Sequence, residues 1–315
     1  MGTLLGGAVG DALGMPVEGL SHQNVRTFYK GIKAYRADER RSDLAAGQWT
    51  DDTQLTFAIV QGMVEAGGIE SLPAVMARRY VDLLPDARRW GGTTRTAVER
   101  LAGGTLWEHS GDDREPTNGA AMRAAPLGSW WAASEASRDQ AWSRLAPVLR
   151  ITHRHPVAVV AGFGQAFAVR LVIASAFDSF DPVAFWSELM SLVQWAERRA
   201  GEGSGALSGR LAALQGHLDD FPLDLQDRCN GAGVFADESW PFAVAMFARN
   251  PMLIEATLLS TINVGGDADT TGSMTGALLG ALHGWSAFPP EWREGLQDVD
   301  RLEANARAFA DLMLH

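Results

Sequence analysis

Gly265-Gly266-Asp267-Ala268-Asp269-Thr270-Thr271-Gly272 opens a segment in which glycine recurs every fourth residue, at Gly272, Gly276, Gly280 and Gly284. That interval lays the four glycines along one face of a helix, predicted over Thr271–Trp285. Near the other end of the chain, Gly6, Gly10 and Gly14 repeat it. Each glycine in a helix interior is about 1 kcal/mol worse than alanine, so the two stripes run against local preference. What they offer is close approach of helix backbones. The gain is either dense packing alone, or packing that also brings the acidic residues at the helix ends to one point.

The rest of the chain is predicted helical as well. Apolar residues recur at helical spacing over Gln54–Ala66, Leu72–Leu84, Thr94–Leu101, Arg138–Leu149, Pro156–Phe177, Pro182–Arg199, Leu207–Leu218, Pro241–Ala248, Met252–Ile262 and Arg301–Met313. No long alternating run suggests a sheet. Pro156, Pro182 and Pro251 suit a first helical turn, and Ser71, Asp181 and Ser204 suit an N-cap or the positions just before one. The segments Ala102–Thr117 and Asp219–Glu238, rich in Gly, Pro and Asp, are expected to be the large loops. With no fixed-period repeat and no long linker, the expectation is an all-α, many-helix globule with one domain over residues 1–315.

Composition narrows the partners. The 315 residues are 46% hydrophobic and 21% charged, in the range of globular chains. Lys+Arg 27 against Asp+Glu 38 leaves a net charge of −11, which argues against nucleic acid or an anionic membrane as main partner. The single cysteine, Cys229, excludes an internal disulfide framework and a Cys-rich zinc site, and is read as a structural thiol. Met1 to Gly6 carry no basic stretch and Asp11 arrives early, so no signal peptide is expected and a cytoplasmic location is. The most apolar stretch, Pro156–Phe177, contains Gln165 and Arg170 and is read as a buried central helix rather than a membrane span. A monomer is the expected oligomeric state.

The chemistry is concentrated in two acidic clusters, Trp49-Thr50-Asp51-Asp52-Thr53 and the Asp267–Thr270 run. Thr50, Asp51, Asp52, Asp267, Asp269 and Thr270 supply six hard oxygens, the donor set that Mg²⁺ and Mn²⁺ prefer. Four clustered carboxylates repel unless cations join them, whereas a single Asp-Thr pair before a helix is often only an N-cap. Glu18, in the bend after the first helix, is a further carboxylate able to orient water or take a proton, or else a solvated loop residue. Asp11, inside the helical pattern, is read as structural, bonding backbone groups of a neighbouring loop. Asn118-Gly119 begin a short helix whose backbone N–H groups suit phosphate oxygens and whose Asn suits a sugar hydroxyl; an ordinary capped turn is the alternative. His153 and His155 are spaced i, i+2, but without a third nitrogen or sulfur ligand they do not make a zinc site. His153 is read as a hydrogen-bonding group near substrate, His155 as a surface or capping residue.

Taken in order, Gly6-Gly7-Ala8-Val9-Gly10-Asp11-Ala12-Leu13-Gly14, Thr50-Asp51-Asp52-Thr53, Asn118-Gly119-Ala120-Ala121-Met122-Arg123, Thr152-His153 and Gly266-Asp267-Ala268-Asp269-Thr270 resemble the ADP-ribosylglycohydrolase family across nearly the whole chain. The departures are Thr117, where many members have glycine, and Ala268 at a variable position. The resemblance implies an all-α fold and two divalent cations, Mg²⁺ or Mn²⁺, held by Thr50, Asp51, Asp52, Asp267, Asp269 and Thr270. It implies a cleft for ADP-ribose lined by Asn118, Gly119 and His153. It also implies hydrolysis at the distal ribose anomeric carbon by water associated with the cations, with Glu18, Asp52 or Asp267 as catalytic carboxylates. The expected substrate is an ADP-ribosylated protein or small ADP-ribose conjugate, with an arginine linkage favoured. Serine-linked ADP-ribose, O-acetyl-ADP-ribose and a non-catalytic ADP-ribose reader are the alternatives. A metal-dependent phosphohydrolase is disfavoured by the absence of Asp-Asp-x-x-Asp spacing and of a His-Asp dipeptide.

Overall fold

Gly10 and Gly272 meet backbone to backbone at the centre of the fold: a methyl group on Gly10 would lie 2.0 Å from the Gly272 carbonyl oxygen, and one on Gly272 2.5 Å from that of Gly10. The computed structural model describes residues 1–314. Five helices position the candidate site: α1 (Gly2–Gly14), α2 (Asp51–Ala66), α3 (Gly119–Met122), α4 (Pro156–Ala174) and α5 (Ala268–His283).

Helices α1 and α5 run antiparallel along their glycine stripes. Gly2 lies against Gly280, Gly6 against Gly276, Gly10 against Gly272 and Gly14 against Ala268. Side chains would hold two helices about 8–10 Å apart; with hydrogen alone at these positions, each carbonyl of one stripe takes the space of the other's missing methyl. Every residue of α1 is buried. The antiparallel direction sets the C-terminal end of α1, which leads into Glu18, beside the N-terminal end of α5, where Asp267 is the N-cap residue. Gly284 closes the stripe from just beyond the helix: α5 ends at His283, Gly284 terminates it with φ +79°, and the Gly284 Cα would still lie 2.8 Å from a methyl group on Gly2.

A two-residue ribbon completes this junction. Leu20–Ser21 pairs antiparallel with Gly265–Gly266, Leu20 opposite Gly266 and Ser21 opposite Gly265. Both glycines have φ near +80° (82° and 76°) and both sit against foreign backbone, Gly265 2.1 Å from the Leu20 oxygen and Gly266 2.3 Å from that of Ala232, measured from an added Cβ. Side chains are excluded on both counts. The ribbon is too short for any alternating pattern to announce it.

The other helices enclose this pair. Helix α4 is long and apolar enough by composition to cross a membrane, yet 72% of its most apolar window is buried in the protein, as expected of a central helix. It ends at Ala174 rather than Phe177, where a separate 3-10 turn, Phe177–Ser179, follows. Predicted helices recur with shifted ends at Leu72–Leu83, Gly92–Ala102, Arg138–Arg150, Pro182–Ala200 and Val299–Met313.

Several boundaries differ for identifiable reasons. Pro241 lies inside Ala236–Arg249 rather than opening it, because the Ala236 N–H already finds the Pro116 carbonyl at 2.7 Å. Pro251 belongs to a turn, and the helix after it begins at Ile254. Leu207–Leu218 shortens to Ala206–Leu214 ahead of Gly216, which has φ +81°. Asp181 caps its helix through Val183 N at 2.9 Å, while Ser71 occupies an N-cap without a side-chain bond. Each of the two long loops carries a short helix, Trp107–Ser110 and Pro222–Arg228, and Ala125–Ala133 was not marked by sequence pattern. Cys229 is buried and free, its thiol pushed up to about 12 by that burial, which is the behaviour of a structural thiol.

Candidate active site

Asp11 has no exposed surface, and its carboxylate organises the turn that starts α2. Both its oxygens accept the Thr50 N–H at 3.0 Å. One also takes the Thr50 hydroxyl at 2.9 Å, and the other takes the Thr53 N–H at 3.0 Å and the Thr53 hydroxyl at 2.6 Å. Burial raises its pKa to about 6 even against these bonds. Asp11 is thus the structural residue expected from the sequence: it ties the Thr50–Thr53 turn to α1 and leaves Asp51 and Asp52 on the wall of a cleft.

The first turn of α5 forms the facing wall. Thr270 Oγ1 donates to Asp52 Oδ2 at 3.2 Å, and Thr50 Oγ1 lies 3.4 Å from the same oxygen. Asp52 Oδ1 is buried with no hydrogen-bond partner. Asp269 Oδ1 takes the Thr270 N–H at 2.9 Å, and Asp267 Oδ2 takes an amide hydrogen of Asn118 at 2.6 Å. Glu18 approaches from the bend after α1: one oxygen each of Glu18, Asp267 and Asp269 lie within 4.8 Å of one another. Among the described residues this is the one group of three or more His, Cys, Asp or Glu placed to hold a metal; His153 and His155 form none. Thr50, Asp51, Asp52, Asp267, Asp269, Thr270 and Glu18 therefore converge as a neighbourhood, with Thr50 set behind the wall, its hydroxyl turned to Asp11.

The electrostatics of this neighbourhood are unbalanced. Burial, then repulsion from Asp11 and Asp267, holds Asp51 well above the ordinary carboxylate range. Burial, then Asp11 and Asp51, does the same to Asp52, and burial, then Glu18 and Asp267, to Asp269. Asp267 is raised by burial. A partnerless buried oxygen, threonine hydroxyls and carboxylates short of positive charge make a donor set that fits hard divalent cations.

A stability prediction follows from the sign of these shifts. Groups whose folded pKa lies above the unfolded value of 3.8 contribute stability below that value and lose it as pH rises through the folded one, which is about 6 for Asp11 and well above the ordinary carboxylate range for Asp51, Asp52 and Asp269. Cation-free protein is expected to melt lower at pH 8 than at pH 5.5. Adding Mn²⁺ or Mg²⁺ should raise the midpoint more at pH 8, as thermal scans with and without EDTA will read. A cation effect independent of pH would contradict this account.

Glu18 is held on its other side by residues that sequence reasoning missed. Arg41 Nη1 lies 2.5 Å and Arg89 Nη1 3.1 Å from Glu18 Oε2. Arg89 also binds Asp38 at 2.8 Å and pairs with Asp43. Nothing local in the sequence marks these arginines, because their partners lie at distant positions. Ser239 was likewise missed; its hydroxyl receives the second amide hydrogen of Asn118 at 3.0 Å.

The cleft, of about 470 Å³, continues from the acidic wall past Thr93, Thr94, Asn118 and Gly119 to His153. Gly119 is glycine for close contact: a Cβ there would stand 2.6 Å from His153 Cε1. His153 is held well below the ordinary histidine range by burial and the nearby Arg123 cation, so the imidazole is neutral. His155 accepts the Val157 N–H at 3.3 Å and caps α4, as expected.

An all-α fold with an oxygen-rich acidic cluster that could hold a cation on the wall of a cleft is the class that this geometry defines. The chain matches the ADP-ribosylglycohydrolase family over residues 1–315 and belongs to it. It is an ADP-ribosyl glycohydrolase by class. It is similar to the ADP-ribosyl-[dinitrogen reductase] glycohydrolase of Rhodospirillum rubrum, 27% identical over 100% of this chain and 95% of that one. It is also similar to the ADP-ribosylarginine hydrolase Tri1 of Pseudomonas putida, 26% identical over 98% of this chain and 77% of that one. A solved structure titled ADP-ribosylglycohydrolase-related protein complex superposes with a TM-score of 0.76 at 28% identity, covering 99% of this chain and 96% of its own.

Proposed function

We propose that this enzyme hydrolyses the N-glycosidic bond between ADP-ribose and an arginine side chain, using two divalent cations held by Thr50, Asp51, Asp52, Asp267, Asp269 and Thr270. The observation that carries the reading is the partnerless, buried Asp52 Oδ1 among raised carboxylates, on the wall of the same cleft that Asn118 and His153 line. Relatives named for ADP-ribosylarginine and for ADP-ribosyl-dinitrogen reductase support the linkage and the protein substrate.

When bound, the cations supply charge that stabilises ribose oxygens and acidifies water. The chain's own residues do the rest. The amide nitrogen of Asn118 is fully used by Asp267 and Ser239, so its Oδ1 is the atom left to accept a ribose hydroxyl. Gly119, with no side chain, lets the His153 ring pack directly against the Asn118–Gly119 turn on the cleft wall. Glu18, braced by Arg41 and Arg89 and within reach of Asp267 and Asp269, is the carboxylate placed to take a proton from attacking water.

The test is to incubate the protein with arginine- and serine-ADP-ribosylated peptides in Mg²⁺, Mn²⁺ or EDTA and to follow free ADP-ribose. Release from the arginine peptide, abolished by EDTA, is expected. Release from the serine peptide alone would overturn the linkage, and no release under any metal would overturn the reading as a whole.

A further inference from the structure

Arg123 is fully buried, yet no carboxylate among the described residues pairs with it. Its Nε and Nη1 have no hydrogen-bond partner. Its Cζ lies 5.5 Å from the Tyr80 ring centroid, near the buried Tyr80 hydroxyl, and its Nη2 donates to the Thr152 hydroxyl oxygen. A buried, unpaired guanidinium is costly to keep, and a methionine would fill similar space without that cost. Its retention calls for a role beyond packing.

Guanidinium only donates, so Thr152 Oγ1 accepts from Arg123. The Thr152 hydroxyl hydrogen then needs an acceptor, and the one within reach is His153 Nδ1, at 2.8 Å. An Nδ1 that accepts leaves the proton of a neutral imidazole on Nε2. His153 Nε2 has no protein partner; it lies 2.7 Å from where a Gly119 Cβ would stand, on the cleft wall. Asp112, whose backbone bridges to that of His153, does not compete for the ring, because Arg114 Nε and Nη2 occupy both of its oxygens.

We propose that Arg123 is a positioning residue which, through Thr152, holds His153 in the Nε2–H form and thereby presents a hydrogen-bond donor to an anionic group in the cleft. This rests on the reading of the cleft as a site for ADP-ribose, whose diphosphate is that anion. The direction of donation is set once, deep in the core, and relayed outward: Arg123 to Thr152, Thr152 to His153, His153 to substrate. With the order reversed, a bare Nε2 lone pair would face the diphosphate and repel it.

The experiment uses full-length protein labelled with ¹⁵N-histidine, with His153 assigned against His153→Gln. The ring-nitrogen shifts give the tautomer near pH 7.5, and calorimetry gives the affinity for ADP-ribose. The wild type is expected to show the Nε2–H form. Thr152→Val, which keeps the shape and removes the relay, should lose that form or mix it with the other and weaken ADP-ribose binding roughly tenfold, the worth of one hydrogen bond to a charged group. Thr152→Ser should restore both. An Nδ1–H form in the wild type, or a Thr152→Val spectrum unchanged from it, overturns the relay. A wild type that shows the expected tautomer and its dependence on Thr152 but binds no ADP-ribose leaves the relay standing and overturns the functional reading instead.

Discussion

Asp267→Asn is expected to fold, to melt no lower than wild type in EDTA, and to release ADP-ribose about 10³-fold more slowly at saturating Mn²⁺ or Mg²⁺. The substitution keeps the side chain's shape, and a flipped Asn amide can still accept the Asn118 hydrogen that Asp267 Oδ2 accepts at 2.6 Å. What it removes is one negative charge from a group that includes half-buried Glu18 and buried Asp269. In the cation-free state that loss relieves repulsion. In the loaded state, on the proposed ligand set, it takes a ligand from the cations, so the cation-induced rise in melting temperature should shrink together with kcat. A variant with wild-type turnover would take Asp267 out of the site, and one that unfolds in EDTA would show that its role is structural.

The second large effect is on stability. Gly10→Ala places a methyl group 2.0 Å from one backbone atom of α5 and 2.3 Å from another, the oxygen and carbon of Gly272. Backbone cannot rotate aside as a side chain can, so α1 and α5 must separate along their length. Alanine favours the helix itself by about 1 kcal/mol, and the separation outweighs that gain. A net loss of about 3 kcal/mol or more is expected, a fall of roughly 5 °C in melting temperature for a chain of this size. Gly209→Ala is the control: it lies in the helix Ala206–Leu214, nothing stands within 4 Å of an added Cβ, and the change should be neutral or stabilising by up to about 1 kcal/mol. Equal effects in the two variants would mean that the glycine stripes matter for propensity and not for approach.

Much of this was legible in the sequence because it depends on short-range chemistry. Glycine at every fourth residue marked two faces before any partner was known, and Asp-Asp-Thr and Asp-x-Asp-Thr marked two helix starts. Asp11 stood out as an unexplained carboxylate in an apolar helix and proved to be the group that ties α1 to the Thr50–Thr53 turn. What the sequence concealed depends on pairs far apart in it. Arg41 and Arg89 gain meaning only from Glu18, Ser239 only from Asn118, and Arg123 only from Thr152. Helix ends moved for the same reason: Pro116 supplies the acceptor that starts the helix at Ala236, and no local signal near Pro241 could reveal it.

Helix α1 is buried on every side, and its glycine face is matched by α5, which ends at His283. During synthesis the first helix leaves the ribosome without its partner and waits for nearly the whole chain to follow. At 5–20 residues per second that interval is about 10 to 60 seconds. Throughout it, a segment that is apolar except for Thr3 and Asp11 must be sheltered by transient structure or by chaperones, and the acidic cluster is not yet assembled. Completion of the fold and assembly of the acidic cluster that could hold cations are therefore late and nearly simultaneous events in the life of each molecule, and chains truncated before α5 are expected neither to bind cations nor to persist.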